Sequence, residues 1–229
     1  MSEAEQRFGK GWVVMTYKVG VEDIEPDHWV AWAFARPGLT GKGHTAEAAV
    51  TYLQSILSDD DVQVVERFNA FPSHEDPDYM VNAFFEDDRR PMTRAEINTG
   101  LDELVISRRE IMAQIERANS ELLARAISGE KFKSIYGIVR HVALVEGWYC
   151  DRMGAAAPWA VMPLDPLAAV VVSRENTRVF LPTLAGDNRI IIRVGEVWSA
   201  RKVLRRILWH ERDHTDHITQ RLQELMGTV

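Results

Sequence analysis

Three of the seven histidines in this 229-residue chain lie within eight residues near its C-terminus, in the sequence WHERDHTDHI. His210, His214 and His217 are spaced by four and three residues, so a helix would place them within a narrow arc of one face. That face also carries apolar side chains, namely Val203, Ile207, Ile218 and Leu225. The pattern predicts that the imidazoles point into the protein interior.

Burying several imidazoles without polar partners is costly, and a metal ion removes this cost by taking neutral ring nitrogens as ligands. His141 lies between Ile138 and Val145, on the predicted inward side of a second helix. We therefore predict that His141, His210 and His214 bind one divalent metal ion, for which imidazole chemistry leaves zinc, nickel and iron open. Three protein ligands leave positions open for water or substrate, which is typical of a catalytic site.

Other interpretations of these residues stay open. A hydrogen-bonded histidine cluster would satisfy the imidazoles without metal, and the angular position of His217 also suits a ligand. HERDH matches the H-E-x-x-H pattern of zinc metalloproteases, in which the glutamate is the general base. The charged Arg212 and Asp213 within the pattern, and the 15 residues that follow His214, argue against a protease. Glu211 is instead expected to be an outer partner of the metal site or a solvated charge.

The first 88 residues predict a small domain with the element order ββαββ. Aromatic and β-branched residues indicate strands at residues 12–19 and 28–35, and Thr45 is a suitable N-cap for the helix that follows. Two more strands are predicted at residues 62–68 and 79–85. This order favours an antiparallel sheet.

The charged segment EDDRRP, residues 86–91, predicts a boundary with a helical domain over residues 92–229. Thr93 and Glu96 fit a capping box, and apolar spacing predicts one helix from there to about Arg125. Further helices are predicted over residues 132–153, 166–184 and 198–226, with a short extended segment at residues 190–194. The predicted fold class is therefore α+β, a ββαββ domain followed by a four-helix bundle.

The net charge of −7 is unevenly distributed. Residues 1–88 contain 6 Lys and Arg against 17 Asp and Glu, whereas the remainder contains 21 against 17. The acidic front half argues against nucleic-acid binding, which depends on neutralising phosphates. It suits a basic protein partner, although an acidic surface is also an ordinary means of staying soluble.

Two further features bear on the compartment. No apolar run approaches the ~20 residues of a membrane-spanning helix, and the start MSEAEQRFGK lacks the pattern of a secretory signal. Cys150, the single cysteine, is compatible with a reducing cytosol and is expected to be an inert buried thiol. We therefore expect a cytoplasmic protein without membrane association, and a homodimer on general frequency alone.

The segments SIYGIVRHVALVEGW and VWSARKVLRRILWHERDHTDHI resemble the DinB-like superfamily of bacterial metal-binding four-helix bundles, over roughly residues 92–226. The resemblance implies that His141, His210 and His214 bind a divalent metal ion, commonly nickel or zinc. The position three residues after the last ligand, often a polar residue such as glutamine in that family, is His217. Some relatives are metal-dependent transferases and isomerases that use low-molecular-weight thiols. The resemblance therefore implies a thiol-dependent transferase or hydrolase with a small-molecule substrate.

The stretch HWVAWAFARPGLTGKGHTAEAAVTYL resembles the HicB-like antitoxin fold through a strand, a Pro-Gly turn and a helix opened by Glu47. Members of that group often bind a small basic toxin, which implies a basic protein partner here. A metal-binding bundle follows, however, where those proteins carry a short DNA-binding tail. The alternative function is therefore a non-enzymatic, antitoxin-like binding protein whose metal is structural. A structural or substrate-gating role for residues 1–88 also stays open.

Overall fold

The computed structural model describes residues 6–8, 12–58, 60–155 and 162–227, so part of the N-terminal segment assessed for a signal lies outside the described residues. The chain forms two compact units, Met1–Arg89 with Ile192–Val197, and Arg90–Ile191 with Trp198–Val229. The predicted α+β class is confirmed, with an N-terminal sheet and, within the described ranges, six α-helices. None of these helices combines the length and apolar character needed to cross a bilayer.

The first unit contains eight strands among its described residues from 6 to 89. They are β1 Gln6–Phe8, β2 Trp12–Val14, β3 Thr16–Glu25, β4 His28–Ala33, β5 Thr40–Gly43, β6 Asp61–Asn69, β7 Phe71–Pro72 and β8 Met80–Val81. Four of them form one sheet in the order β5-β4-β3-β6. The pairs β1–β2 and β7–β8 form small antiparallel ladders.

The predicted helix after Thr45 is present as α1, Ala46–Leu57, and the Thr45 hydroxyl accepts a hydrogen bond from the Ala48 N–H. The predicted sheet differs in three respects, one of which is that the fourth predicted strand, residues 79–85, is only the two-residue β8 and pairs with β7 outside the sheet. The turn-rich stretch after the second predicted strand forms β5, so three sheet strands precede α1 rather than two. The prediction of a fully antiparallel sheet is wrong at one edge, because β6 pairs with β3 in parallel. The α1 crossover between β5 and β6 makes a parallel return possible.

The second unit is mainly helical. Its helices are α2 Arg94–Ile115, α3 Ser120–Ala124, α4 Ile135–Arg152, α5 Pro166–Phe180 and α6 Ala200–Met226. The predicted capping box of Thr93 and Glu96 is confirmed at the start of α2. The prediction of one helix as far as Arg125 is wrong, because α2 ends at Ile115 and Asn119 caps the separate helix α3.

The predicted extended segment is present as β9, Ile191–Arg193, which pairs with β10, Glu196–Trp198. Val194 and Gly195 connect these strands with φ values of 53° and 74°, the positive values that a tight two-residue hairpin turn favours. Ile192–Val197 belongs to the first unit, although the sequence placed it within the helical domain. Independent folding of the two parts of the chain stays a prediction.

Two apolar clusters form the core of the second unit, where α2 packs on α6 and α4 packs on both α5 and α6. The first cluster includes Leu104, Tyr149 and Leu204. The second includes Ile138 and Ile218. On each of the three helices α2, α4 and α6, at least one buried polar side chain separates the residues of the first cluster from those of the second.

Candidate metal centre

His141 lies in the second turn of α4, whose start is fixed by a side-chain cap. The Ser134 hydroxyl accepts a hydrogen bond from the Gly137 N–H, which satisfies one of the free donors at the helix start. Ile138 and Val142 on either side of His141 are fully buried in the second apolar cluster. This packing turns the His141 ring towards α6, and the ring is half-buried.

His210 and His214 lie in the middle of α6, the longest helix of the described residues. The helix begins after the Ser199 cap and ends at Gly227, which adopts a left-handed conformation with a φ of 70°. Both imidazoles are buried, as the apolar periodicity of the sequence predicted. The four-residue spacing therefore presents two ring edges to the same side of the helix.

The structure brings the three predicted ligands together. The Nε2 atoms of His141 and His210 lie 3.1 Å apart. One ring nitrogen from each of His141, His210 and His214 falls within 4.8 Å of the others. His217 lies beside this group rather than in it, with its Nδ1 atom 3.4 Å from the Nδ1 atom of His214. Whether any of these residues binds a metal ion stays a prediction.

Burial keeps the three imidazoles neutral. It lowers the pKa of His141 to about 4, with a further contribution from the Lys131 ammonium group. Burial lowers the pKa of His214 to about 3 and, together with the neighbouring imidazoles, holds the pKa of His210 well below its usual value. Neutral imidazole is the form that ligates metals, so these groups are ready to bind an ion at neutral pH.

The Phe132 ring lies against two of the three histidines, His141 and His214. It stacks on the His141 ring with centroids 4.2 Å apart, and it meets the His214 ring edge-on at 5.6 Å. A Cβ atom at Gly137 would lie 1.8 Å from the Phe132 carbonyl oxygen, so only glycine permits this close approach. The sequence analysis missed both residues, because a glycine in the first turn of a helix does not by itself indicate a contact.

A buried ion-pair network lies next to the histidines and was also missed. It contains one charged residue from each of α2, α4, α5 and α6, namely Arg108, Glu146, Arg174 and Glu211. Arg108 donates to Glu146 at 2.7 Å and to Glu211 at 2.5 Å. Arg174 donates to Glu146 at 2.8 Å and also to Glu211. The network thus links four helices through alternating charges.

The two guanidinium groups stabilise the ionised carboxylate of Glu146. Burial opposes ionisation there, but Arg174 and Arg108 hold the Glu146 pKa below its usual value, and the Ser173 hydroxyl donates to the same carboxylate at 3.1 Å. Both carboxylates of the network are almost completely buried. Charged residues at helical spacing usually lie on a solvated face, and a single helix carries no signal that these would be buried.

Glu211 is neither solvated nor free to act as a general base. Its Oε1 atom accepts from Arg108 and its Oε2 atom accepts from Arg174. A metalloprotease glutamate must instead face the metal-bound water. This geometry argues against the protease interpretation of HERDH, and it places Glu211 in the core next to the ligand candidate His210.

The donor chemistry of the three histidines fits a divalent transition metal. Neutral imidazole nitrogens bind zinc, nickel and iron, with zinc–nitrogen bonds of about 2.0–2.1 Å. Two nitrogens on one ion can then be at most about 4.2 Å apart. The 3.1 Å between His141 and His210 satisfies this limit, whereas a pair near the 4.8 Å bound would need to approach by a few tenths of an ångström. Among the residues described, this is the one histidine, cysteine and carboxylate group with such convergence.

Comparison of the chain with protein-family models, with curated proteins and with solved structures gives no match.

Proposed function

We propose that the second unit is a DinB-like four-helix bundle whose function depends on one divalent metal ion held by His141, His210 and His214. The observation that carries the proposal is the convergence of two buried imidazoles on α6 and one half-buried imidazole on α4. Neutral imidazole nitrogens from two helices that lie this close together are a donor set that suits a divalent transition metal. Zinc or nickel is the expected ion, with iron as the next choice.

We further propose that the protein is an enzyme of the thiol-dependent transferase or hydrolase type. Three histidines fill only part of a tetrahedral or octahedral shell, which leaves room for an exogenous ligand. A bound ion would supply Lewis acidity and lower the pKa of a coordinated water or thiol. The chain's own contribution is a set of neutral imidazole rings, with the Phe132 ring stacked on His141 and edge-on to His214.

One observation favours a second candidate, a structural metal in a non-enzymatic binding protein. The Phe132 ring covers His141 and meets His214, so part of the space around the three nitrogens is already filled by protein. In this alternative the ion only braces α4 against α6. The acidic first part of the chain would then hold a basic protein partner, as the HicB-like resemblance implies.

Elemental analysis of the purified full-length protein tests the metal. Wild type should contain about one divalent ion per chain, and His210→Ala and His214→Ala should lose it while keeping their helicity. His44→Ala is the matched control, because the His44 ring contacts the Asp27 carbonyl oxygen in the first unit. Full metal content in both α6 variants would refute the ligand assignment.

A cobalt(II) titration then distinguishes the enzyme from a non-enzymatic binding protein with a structural metal. A low-molecular-weight thiol that enters an open position becomes a thiolate on cobalt and produces a sulfur-to-metal charge-transfer band. The enzyme proposal predicts a saturable band in wild type that is absent in His141→Ala. A cobalt spectrum that no thiol changes would favour the structural metal.

A further inference from the structure

The Glu130 carboxylate joins two parts of the site. Its Oε1 atom accepts a hydrogen bond from the Phe132 N–H at 3.1 Å. Its Oε2 atom lies 2.9 Å from the His217 Nε2 atom and accepts from Arg221 Nε at 3.1 Å. The Glu130 side chain is only 2% exposed, so its carboxylate depends on these donors for hydrogen bonds. A buried carboxylate with this set of donors is held in one orientation.

These contacts determine which ring nitrogens carry protons. An ionised carboxylate only accepts hydrogen bonds, so the His217 Nε2 atom must carry the proton that it shares with Glu130. When Nε2 carries the only ring proton of His217, its Nδ1 atom presents a lone pair to the His214 Nδ1 atom, 3.4 Å away. His214 can donate to it only if its own proton is on Nδ1. The lone pair of His214 is then on Nε2.

We propose that His217 is a positioning residue rather than a metal ligand, and that the chain Glu130–His217–His214 holds His214 with its Nε2 lone pair available for the ion. Both ring nitrogens of His217 are already engaged, one by Glu130 and one by His214. His217 is also outside the group of converging nitrogens. The ligand role of His214 rests on the proposed function, whereas the hydrogen-bond chain itself does not.

The same carboxylate also positions the other side of the site. Glu130 accepts a hydrogen bond from the Phe132 N–H and so fixes the Phe132 backbone. The Phe132 ring stacks on the His141 ring with centroids 4.2 Å apart. One side chain therefore orients a ligand candidate on α6 and the aromatic cover of a ligand candidate on α4. Outer partners of this kind fix the tautomer and the ring orientation of metal-binding histidines, and their loss typically weakens metal binding by about 10- to 100-fold.

Three variants of the full-length protein separate this role from simple packing. His217→Phe keeps an aromatic ring beside Phe132 but removes both nitrogens. His217→Gln offers an amide oxygen to His214 and an amide N–H to Glu130, so it is the conservative rescue. Glu130→Gln tests the chain from its other end, and it serves even if a ring replacement at position 217 fails to fold.

The first measurement is long-range ¹H–¹⁵N NMR of the imidazoles in metal-free protein. Wild type should show His214 protonated on Nδ1 and His217 on Nε2, and His217→Phe should lose the Nδ1 preference of His214. The second measurement is metal affinity by competition with a chromophoric chelator. His217→Phe and Glu130→Gln should bind zinc about 10- to 100-fold more weakly, and His217→Gln should recover part of the loss.

The outcomes distinguish the two proposals. Expected tautomers in a wild type that binds no metal would support the hydrogen-bond chain and refute only the metal function. If His217→Phe left the tautomer of His214 unchanged, the proposed hydrogen-bond chain would be wrong. Equal zinc affinity in all variants would overturn the positioning role. A lower coordination number in the cobalt(II) spectrum of His217→Phe would show that His217 is itself a ligand and would also overturn it.

Discussion

The Nε2 atoms of His141 and His210 lie 3.1 Å apart, although 69 positions separate the two residues in the chain. The same two helices contribute Glu146 and Glu211, which are joined through Arg108 and Arg174. The packing of α4 on α6 thus creates a histidine group and an ion-pair network next to each other. If the histidines bind an ion, the network fixes the helices that carry its ligands.

The ion-pair network should contribute strongly to stability. Arg174→Met keeps the aliphatic part of the side chain but leaves two buried carboxylates with one cation, so it should lower the free energy of unfolding by about 3–5 kcal/mol. Arg178→Met, one turn along the same helix, breaks an exposed pair with Glu175 and should cost less than about 1 kcal/mol. Urea denaturation measures both values, and equal costs would show that the buried network is not the stabilising element.

The metal-free protein should lose stability as the pH falls below about 6.5, the ordinary histidine value. The pKa values of His141 and His214 in the folded protein are lowered to about 4 and about 3, so the unfolded chain takes up protons first. Each such imidazole reduces the unfolding free energy by about 1.4 kcal/mol per pH unit over that interval, and the contribution is complete above it. The free energies of unfolding measured at pH 7 and at pH 5 should therefore differ less in the double variant His210→Gln/His214→Gln than in wild type. An equal difference in wild type and in the double variant would contradict the prediction.

Gly137→Ala should destabilise the protein, in contrast to the usual effect of alanine in a helix. Replacing glycine inside a helix normally stabilises it by about 0.5–1 kcal/mol. Here the new Cβ atom would lie 1.8 Å from the Phe132 carbonyl oxygen, so the Phe132 segment must move. Denaturation gives the sign of the change, and a stabilised variant would show that this segment yields without cost.

Cys150 should not react with alkylating agents in the folded protein. Burial raises the pKa of its thiol to about 12, and its Sγ atom lies 3.7 Å from the Thr177 hydroxyl oxygen. The thiolate is the reactive form, so it is nearly absent at neutral pH. Mass spectrometry after iodoacetamide treatment at pH 8 should detect modification only in denaturant. Rapid modification of the native protein would contradict the buried position.

A fragment that begins at Pro91 should be helical and bind the ion. Both apolar clusters of the second unit, the ion-pair network and the three histidines are contained in Arg90–Ile191 and Trp198–Val229. Circular dichroism and elemental analysis of the fragment, with full-length protein as the control, test this expectation. An insoluble fragment without metal would show that residues 1–89, the part of the first unit that the fragment lacks, are required for folding.

The sequence by itself determined those features that a single element carries. The periodicity and spacing of α6 predicted that His210 and His214 share a buried face, and the side-chain oxygens of Thr45 and Thr93 predicted the starts of α1 and α2. Such signals are local, because they depend on residues within a few positions of one another. Asn119 carries a local signal of the same kind, because its side chain accepts a hydrogen bond from the Leu122 N–H, but the apolar periodicity on both sides of it predicted one continuous helix.

Only the tertiary structure decided which elements meet. The parallel pairing of β6 with β3 depends on the path of the chain around α1, which no residue pattern within β6 records. Glu146 is buried and Arg108 largely so because their partners come from other helices, whereas either helix alone would leave its charge in water. The proposed role of His217 likewise depends on Glu130, 87 positions away, whose carboxylate reaches the histidine ring only after the helices have packed.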